Sequence, residues 1–415
     1  MIDIFDEASL GQNYCGSDAQ IDICYEFSDL GNGVIDDERI SKIIYNPGAK
    51  EESQHEKRMN EEIKKIRGFS SWAIIFDQFC KPFPKDILST YDKRGMDNCF
   101  DGEYDDLVDE FDENSYMMNG IYGGETMDDK FMSMFEGKKM SPRQRDNKFL
   151  ELMKMMEPLF LGLKKMDEKK IIHNDIKPIN IVFHDGVFKY IDFGLAGLLS
   201  NKNHFKQRSL DELMTDRFYI YYPIDYLLYY ASSSKLDEEV ERVNTKYERR
   251  NYDILNIIHM IFGRKGGLNV IEEVVQQIRD KNINQTTMIR GIDTYSLGIL
   301  IPLLFLRPEV NHLLKEESNL INDFYVLFSL MTTPIPKLRI TAEKAYKQFK
   351  GLLKKYSQKK TKRVSLKKRN KRNKRKKSIP RVRRGAQSTR IKRITTKIKK
   401  RKGSAKRGNK NRRAS

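Results

Sequence analysis

The sequence predicts an α+β chain in which a smaller β-rich part is followed by a larger, mainly helical part and then by a basic tail. Three observations predict it. Apolar residues alternate in short runs as far as Phe79, recur at three- and four-residue steps after Gly124, and nearly vanish from Lys354 to Ser415.

Taken in order, Ile21 to Phe27 and Ile40 to Tyr45 read as half-buried strands joined across the turn-rich stretch Ser28 to Gly33, a β-hairpin. Glu51 to Ile66 sets Met59, Ile63 and Ile66 at helical spacing, and Trp72 to Phe79 returns to a strand-like run. Asp97 to Glu113 holds nine acids and no Lys or Arg, the composition of a solvated insertion loop. It does not fit a calcium loop, because an EF-hand register on Asp97, Asp101 and Gly102 puts Cys99 and Val108 at ligand positions. Further on, Phe149, Leu152, Met153, Met156, Leu159, Phe160, Leu163 and Met166 make one long buried helical stripe. Leu236 to Arg250 reads as a solvated helix. Thr294 to Phe305 is apolar nearly all round, as in a helix at the centre of a domain, and Thr341 to Leu353 is the last predicted helix.

The formal charge of +19 hides a division. Lys354 to Ser415 carries 31 Lys and Arg and no acid, so the preceding body is acidic, near −12. A segment that is half cationic and poor in apolar residues cannot offset the entropy of ordering, so the tail is expected to be disordered. Its charge density points to nucleic acid or another polyanion as partner, with a nuclear-import signal at Lys367 to Lys377 or a solubilising spacer as the alternatives. Tyr356 is its one aromatic residue, so base stacking is not implied. Cys15, Cys24, Cys80 and Cys99 form no C-x-x-C pair, which points away from a zinc knuckle or disulfide framework and fits a reducing, intracellular compartment. The first seven residues lack the pattern of a signal peptide, and the longest apolar run, Leu297 to Leu306, is about half a membrane span. A soluble chain without a transmembrane segment is expected.

The chemistry lies in Ile171-Ile-His-Asn-Asp-Ile-Lys-Pro-Ile-Asn-Ile-Val-Phe183, followed after the turn His184-Asp-Gly186 by Val187-Phe-Lys-Tyr-Ile-Asp-Phe-Gly194. Phosphoryl transfer needs a carboxylate to orient the attacking hydroxyl, a cation near the transferred group, and oxygen ligands for a divalent metal. Asp175, Lys177 and the pair Asn180 and Asp192 supply these three. Strand-like runs Ile179 to Phe183 and Val187 to Ile191 would hold both metal ligands on one hairpin.

These residues resemble the protein kinase superfamily, whose catalytic loop has the form H-R-D-x-K-x-x-N and whose metal motif is D-F-G. The resemblance implies a bilobal protein-kinase-like fold, ATP with Mg²⁺ or Mn²⁺, and a protein substrate; Lys177 is similar to the serine/threonine branch. It further implies that Asp293, in Gly291-Ile-Asp-Thr-Tyr-Ser-Leu-Gly298, braces the catalytic-loop backbone. Asp225 of Pro223-Ile-Asp225 pairs with Arg339 of Leu338-Arg-Ile-Thr-Ala342. Usual spacing leaves a large insertion near 226–290. Lys42 in Ile40-Ser-Lys-Ile-Ile44 looks like the small-lobe lysine, with Glu56 its helix partner and Glu62 the rival. Gly11-Gln-Asn-Tyr-Cys-Gly16 looks like the glycine-rich cover, Gly11 and Gly16 being its outer glycines and Gly31-Asn-Gly33 the rival. Tyr116 to Gly124 resembles the strand and hinge that bind adenine. Asn174 stands where the family carries arginine, so activity is expected without loop phosphorylation.

The expected organisation is a small ATP-binding lobe at 1–120 with its acidic insertion near 97–113, a large lobe at 121–353, and the tail at 354–415. The short small lobe, the Ser-Lys-Ile strand, the Tyr-Gly-Gly hinge and the insertions resemble divergent kinases of large nucleocytoplasmic DNA viruses, iridovirus-like ones included. That implies a host nucleus, cytoplasm or virion location. A kinase-fold scaffold without turnover and a nucleic-acid-binding packaging protein are the competing functions.

Overall fold

A computed structural model of the chain describes residues 20–23, 39–45, 48–81, 115–137, 139–214, 219–231, 236, 238, 240–241, 267–314 and 317–358. Gly11, Gly16, the rival Gly31 to Gly33, the acidic stretch, most of 236–250 and the chain beyond 358 lie outside the described residues. The fold is α+β, mostly helical with antiparallel sheets.

Four strands, β1 (Gln20–Ile23), β2 (Arg39–Tyr45), β3 (Phe76–Cys80) and β4 (Ser115–Ile121), form an antiparallel sheet in the order β1-β2-β4-β3. β1 pairs with β2, Asp22 opposite Lys42, and β4 sets Met118 opposite Lys42 on the other side. The helix α1 (Ala49–Lys64) packs on β2, β3 and β4. Its buried face runs through Ala49, Ser53, Glu56, Met59 and Ile63, the three- and four-residue steps of an amphipathic helix. Glu56 is the acidic residue on that face, and this carries it inside.

Trp72 does not begin a strand. Phe69–Ser71 is a 3₁₀ turn, Trp72 is buried, and the strand starts only at Phe76. The backbone of 72–74 is satisfied elsewhere: Tyr190 N–H donates to Trp72 C=O and Ile74 N–H to Tyr190 C=O, each at 2.9 Å.

The helical part opens with α2 (Met127–Phe135), α3 (Pro142–Met155) and α4 (Glu157–Glu168). The stripe from Phe149 to Met166 is thus two helices, not one. Pro158 has no N–H to give the carbonyl four residues back, so the helix breaks at Met156 and restarts with Leu159 and Phe160 donating to Met156 C=O. Burial continues through the break, since Met153, Met156, Leu159 and Phe160 are all fully enclosed.

After α5 (Lys202–Met214), α6 (Ile224–Tyr229) and α7 (Gly267–Arg279) comes the central helix α8 (Gln285–Leu306). It begins well before Thr294, capped by Asn284, whose side chain accepts from Thr287 N–H at 3.0 Å. By length and composition α8 could cross a membrane, yet most of it is buried inside the protein, where Phe305 meets the rings of Phe131, Phe135 and Phe149. The described ends of the interval 226–290 are core rather than surface: Tyr226, Leu227 and Leu228 of α6 pack with Val274 and Val275 of α7 and Ile289 of α8. A helix α9 (Asn319–Met331) crosses α8, and a last helix, α10, spans 342–358. α10 overruns the expected tail boundary after Leu353, because Lys355 pairs with Asp323 of α9 at 2.5 Å and Tyr356 donates to Asn319 C=O at 2.7 Å.

Candidate active site

The site is built around a short hairpin, β5 (Ile181–His184) and β6 (Val187–Tyr190). Asp185 and Gly186 have φ of 54° and 80°, the two-residue turn that matches strand twist and that Asp-Gly favours. The strand does not reach back to Ile179, because Pro178–Asn180 is a single 3₁₀ turn. That turn lifts Asn180 beside Asp175. Ile191 N–H donates to Asn180 C=O at 3.1 Å, so the two expected metal ligands flank one backbone hydrogen bond.

The hairpin is anchored from both sides. Tyr190 donates to Leu159 C=O at 2.9 Å from beneath, and Gly123 and Gly124 press against β5 from the end of β4. A Cβ on Gly123 would lie 2.6 Å from Val182, so the Tyr-Gly-Gly stretch needs glycine there for close approach.

The loop ahead of it is held by Asp293. Its carboxylate accepts from His173 N–H at 2.6 Å and Asn174 N–H at 2.9 Å, all three groups being buried. Asn174 has φ 63°, a left-handed conformation that asparagine tolerates better than most residues. His173 is packed near Tyr190 and Phe193, with Nε2 3.1 Å from Ile191 C=O. Asp175 Oδ2 accepts from Asn180 Nδ2 at 2.6 Å and lies 3.2 Å from Lys177 Nζ.

A second group comes from far away in sequence. Lys42 Nζ sits 3.1 Å from Glu56 Oε2 and 3.0 Å from Asp192 Oδ1, the latter across 150 residues. Glu62 instead lies near the surface with Lys65. Asp192 also accepts from Gly194 N–H at 3.2 Å, and a Cβ on Gly194 would come within 3.1 Å of Glu56. Burial alone would push Asp192 up, but the Lys42 ammonium outweighs it and brings the carboxyl to about 2. Burial would likewise lower Lys42, and the Asp192 and Glu56 carboxylates hold it well above its ordinary value. Glu56 behaves oppositely: burial raises it to about 7 despite Lys42.

This has a pH consequence. Between its ordinary value of 4.5 and about 7, folded Glu56 holds a proton that the unfolded chain has released, so this group lowers stability as pH rises through that window. The Lys42–Glu56 ion pair is complete only above it. Nucleotide affinity should therefore fall as pH drops through about 7, and Glu56→Gln should flatten that limb in a binding titration from pH 5.5 to 8.5.

The donor set fits a divalent metal. Asn180 spends its amide N–H on Asp175 and keeps its oxygen, while Asp192 uses Oδ1 for Lys42 and keeps Oδ2. Two hard oxygen donors suit Mg²⁺, which retains waters and takes phosphate oxygens. Among the described residues no cluster of three or more His, Cys, Asp or Glu offers an all-protein cage.

Residues 103–220 match the family model described as protein kinase domain. The stretch is less than a third of the chain, but it contains Asp175, Lys177, Asn180 and Asp192. The MAP kinase kinase MKK1/SSP32 of Saccharomyces cerevisiae is 37% identical over 90 residues, which is 21% of this chain and 16% of the yeast protein. Both findings support the protein kinase superfamily. Lys42, Glu56, Asp225, Asp293 and Arg339 lie outside the matched stretch, and their contacts are known from the structure alone. Asp225 and Arg339 pair at 2.5 Å, almost wholly enclosed.

Sequence reasoning missed three residues. Tyr219 donates to Asp175 Oδ1, Tyr222 donates to Asn174 C=O at 2.6 Å, and Arg208 of α5 donates to Tyr222 at 3.2 Å. Burial and the Asp175 carboxylate push the Tyr219 phenol well up, so it remains a donor. The aromatic run Tyr219-Ile-Tyr-Tyr222 before Pro223 was the available signal.

Proposed function

We propose that the chain is a serine/threonine protein kinase, transferring the γ-phosphoryl group of ATP to a protein hydroxyl. The observation that carries this reading is the convergence of Lys42, Glu56 and Asp192 beside a catalytic-type loop in which Asp175, Lys177 and Asn180 touch one another. Asp175 would orient the acceptor hydroxyl and receive its proton, and Lys177 would balance charge on the transferred group. Lys42, fixed by Glu56, would hold the remaining phosphates. Asn180 and Asp192 would hold Mg²⁺, which when bound supplies charge neutralisation to the phosphate oxygens.

Serine/threonine preference rests on Lys177, and a paired assay on peptides differing only in a Ser, Thr or Tyr acceptor tests it. Ser and Thr peptides are expected to be phosphorylated well above the Tyr peptide; the reverse order would overturn the preference. Absence of transfer to any of them would favour the scaffold.

The basic tail is proposed to bind nucleic acid or another polyanion through phosphate contacts, each adding roughly 0.7 to 0.9 to the salt slope. Because α10 runs to 358, the clean deletion is 360–415. It should spare peptide turnover and abolish retention on DNA and RNA at moderate salt; retained binding would remove the tail from that role. The likeness to kinases of large nucleocytoplasmic DNA viruses, and the host nucleus, cytoplasm or virion location it implies, belong to the same proposal and rest on the short small lobe, the Ser41-Lys42-Ile43 strand, the Tyr122-Gly123-Gly124 hinge and the insertions.

A further inference from the structure

Two histidines outside the phosphotransfer groups grip the backbone that follows Gly194, and their role there rests on the phosphotransfer reading above. His55 Nε2, from α1, lies 2.7 Å from Ala196 C=O, and His204 Nε2, from α5, lies 2.9 Å from Leu195 C=O. The two carbonyls are consecutive. A carbonyl only accepts, so each ring carries hydrogen on Nε2 and takes any further proton on Nδ1. The rings stack with centroids 5.1 Å apart and planes 22° from parallel. His204 is seated on glycine, since a Cβ on Gly197 would meet its Cδ2 at 2.7 Å. Both rings are half-buried, so protons reach them.

The gripped residues join the two halves of the site. Upstream, Gly194 N–H donates to Asp192 and its Cα packs on Glu56, the neighbour of His55 in α1. Downstream, Gly197 and Leu198 pair with Ile172 and Ile171, at the entry to the loop of Asp175. We propose that His55 and His204 are positioning residues, a two-histidine clamp that docks α1 and α5 on this backbone and opens when both rings carry a proton. One protonated ring leaves both carbonyl bonds and the stack in place. Two put like charges 5.1 Å apart in a gap that water screens poorly.

The charges around the pair are few. His204 faces His55 from α1 and Arg208 one turn on along α5, and Arg208 is already engaged by Glu212 at 2.7 Å and by Tyr222. Glu51, Glu52 and Arg58 lie one turn from His55 along α1, while residues 195–197 bring carbonyls and no charged side chain. Burial first, then His55 and Arg208, hold His204 below its ordinary value of 6.5 against the pull of the Leu195 carbonyl. An opened clamp therefore takes up a proton that the closed one refuses, and closure weakens as pH falls below 6.5, not above it. Linkage to one proton lowers the closed population by up to about tenfold per pH unit. This limb differs from that of Glu56, which acts on nucleotide affinity, because the clamp acts at saturating nucleotide.

Turnover of a serine peptide at saturating Mg²⁺–ATP is followed from pH 5.5 to 8 in wild type, His55→Gln, His204→Gln and the double variant. Glutamine keeps an N–H donor and takes no proton in this range. Between pH 8 and 5.5 each single variant should lose about threefold to tenfold less of its own turnover than wild type loses. The double variant should gain nothing further, because either change removes the second charge. Wild-type pH profiles in the single variants, gains that multiply in the double variant, or a uniform loss with an unchanged profile would each overturn the clamp. Hydrogen exchange over residues 192–200, corrected for its intrinsic pH dependence, needs neither a variant nor turnover. Protection there should fall by about threefold to tenfold in wild type from pH 8 to 5.5; equal protection would overturn the inference. If no peptide is phosphorylated at any pH, the phosphotransfer reading has failed, and the exchange measurement still decides the clamp.

Discussion

Asp192→Asn should lower kcat/KM for phosphotransfer by on the order of 10³-fold or more, since metal stabilisation of transferred charge is worth several kcal/mol and each 1.4 kcal/mol is tenfold. The loss has two sources. The amide removes the anionic oxygen left for Mg²⁺, and it removes the strongest attraction holding Lys42 in place. The asparagine amide does not ionise, so raising pH cannot rescue the variant. Nucleotide-induced thermal shifts measured with and without Mg²⁺ separate the two sources. The metal-dependent part of the shift should vanish in Asp192→Asn and persist, reduced, in Lys42→Met. An unchanged metal-dependent shift in Asp192→Asn would remove that residue from the metal site.

Arg339→Met should destabilise the fold by about 3–5 kcal/mol, the usual effect of stranding one partner of a buried ion pair. Asp225 is fully enclosed and Arg339 nearly so, their contact is 2.5 Å, and Arg339 also donates to Thr333 C=O at 2.9 Å. Its guanidinium packs directly on Gly291, where a Cβ would meet it at 2.6 Å. The pair joins α6, just after the Tyr219 to Tyr222 run, to the turn before α10. The double variant Asp225→Leu with Arg339→Met should be more stable than Arg339→Met alone, because no unpaired charge remains. Urea midpoints of Arg339→Met, Asp225→Leu and the double variant test this. A double variant that loses the sum of the single losses would mean that the pair's packing, rather than its charge, matters.

What the sequence made legible was local chemistry with strict geometry. The Asp185-Gly186 turn and the close placing of Asp175 and Asn180 could be read because few residue types satisfy those positions, whereas the contact of Asp293 with the loop backbone came from the resemblance to the kinase pattern. The pair Asp225 and Arg339 likewise came from the resemblance, and the structure brings the two side chains together. Boundaries set by tertiary partners were not legible. Trp72 to Ile74 has a strand's composition but gives its backbone bonds to Tyr190, and the stripe from Phe149 to Met166 conceals a break that preserves the buried face. Lys355 and Tyr356 look like the start of a basic tail until Asp323 and Asn319 are placed beside them. Tyr219 escaped for a different reason: an aromatic residue in an aromatic run ordinarily means core, and only the fold brings its hydroxyl to Asp175.

The most direct measurement is Mg²⁺-dependent transfer of the γ-phosphate to a serine peptide by wild type and by Asp175→Asn, with nucleotide affinity measured on the same samples. Expected is a loss of about 10²- to 10⁴-fold in turnover from removal of the general base, with nucleotide affinity nearly unchanged. Turnover by Asp175→Asn at the wild-type rate would contradict the assignment of this loop as the catalytic centre.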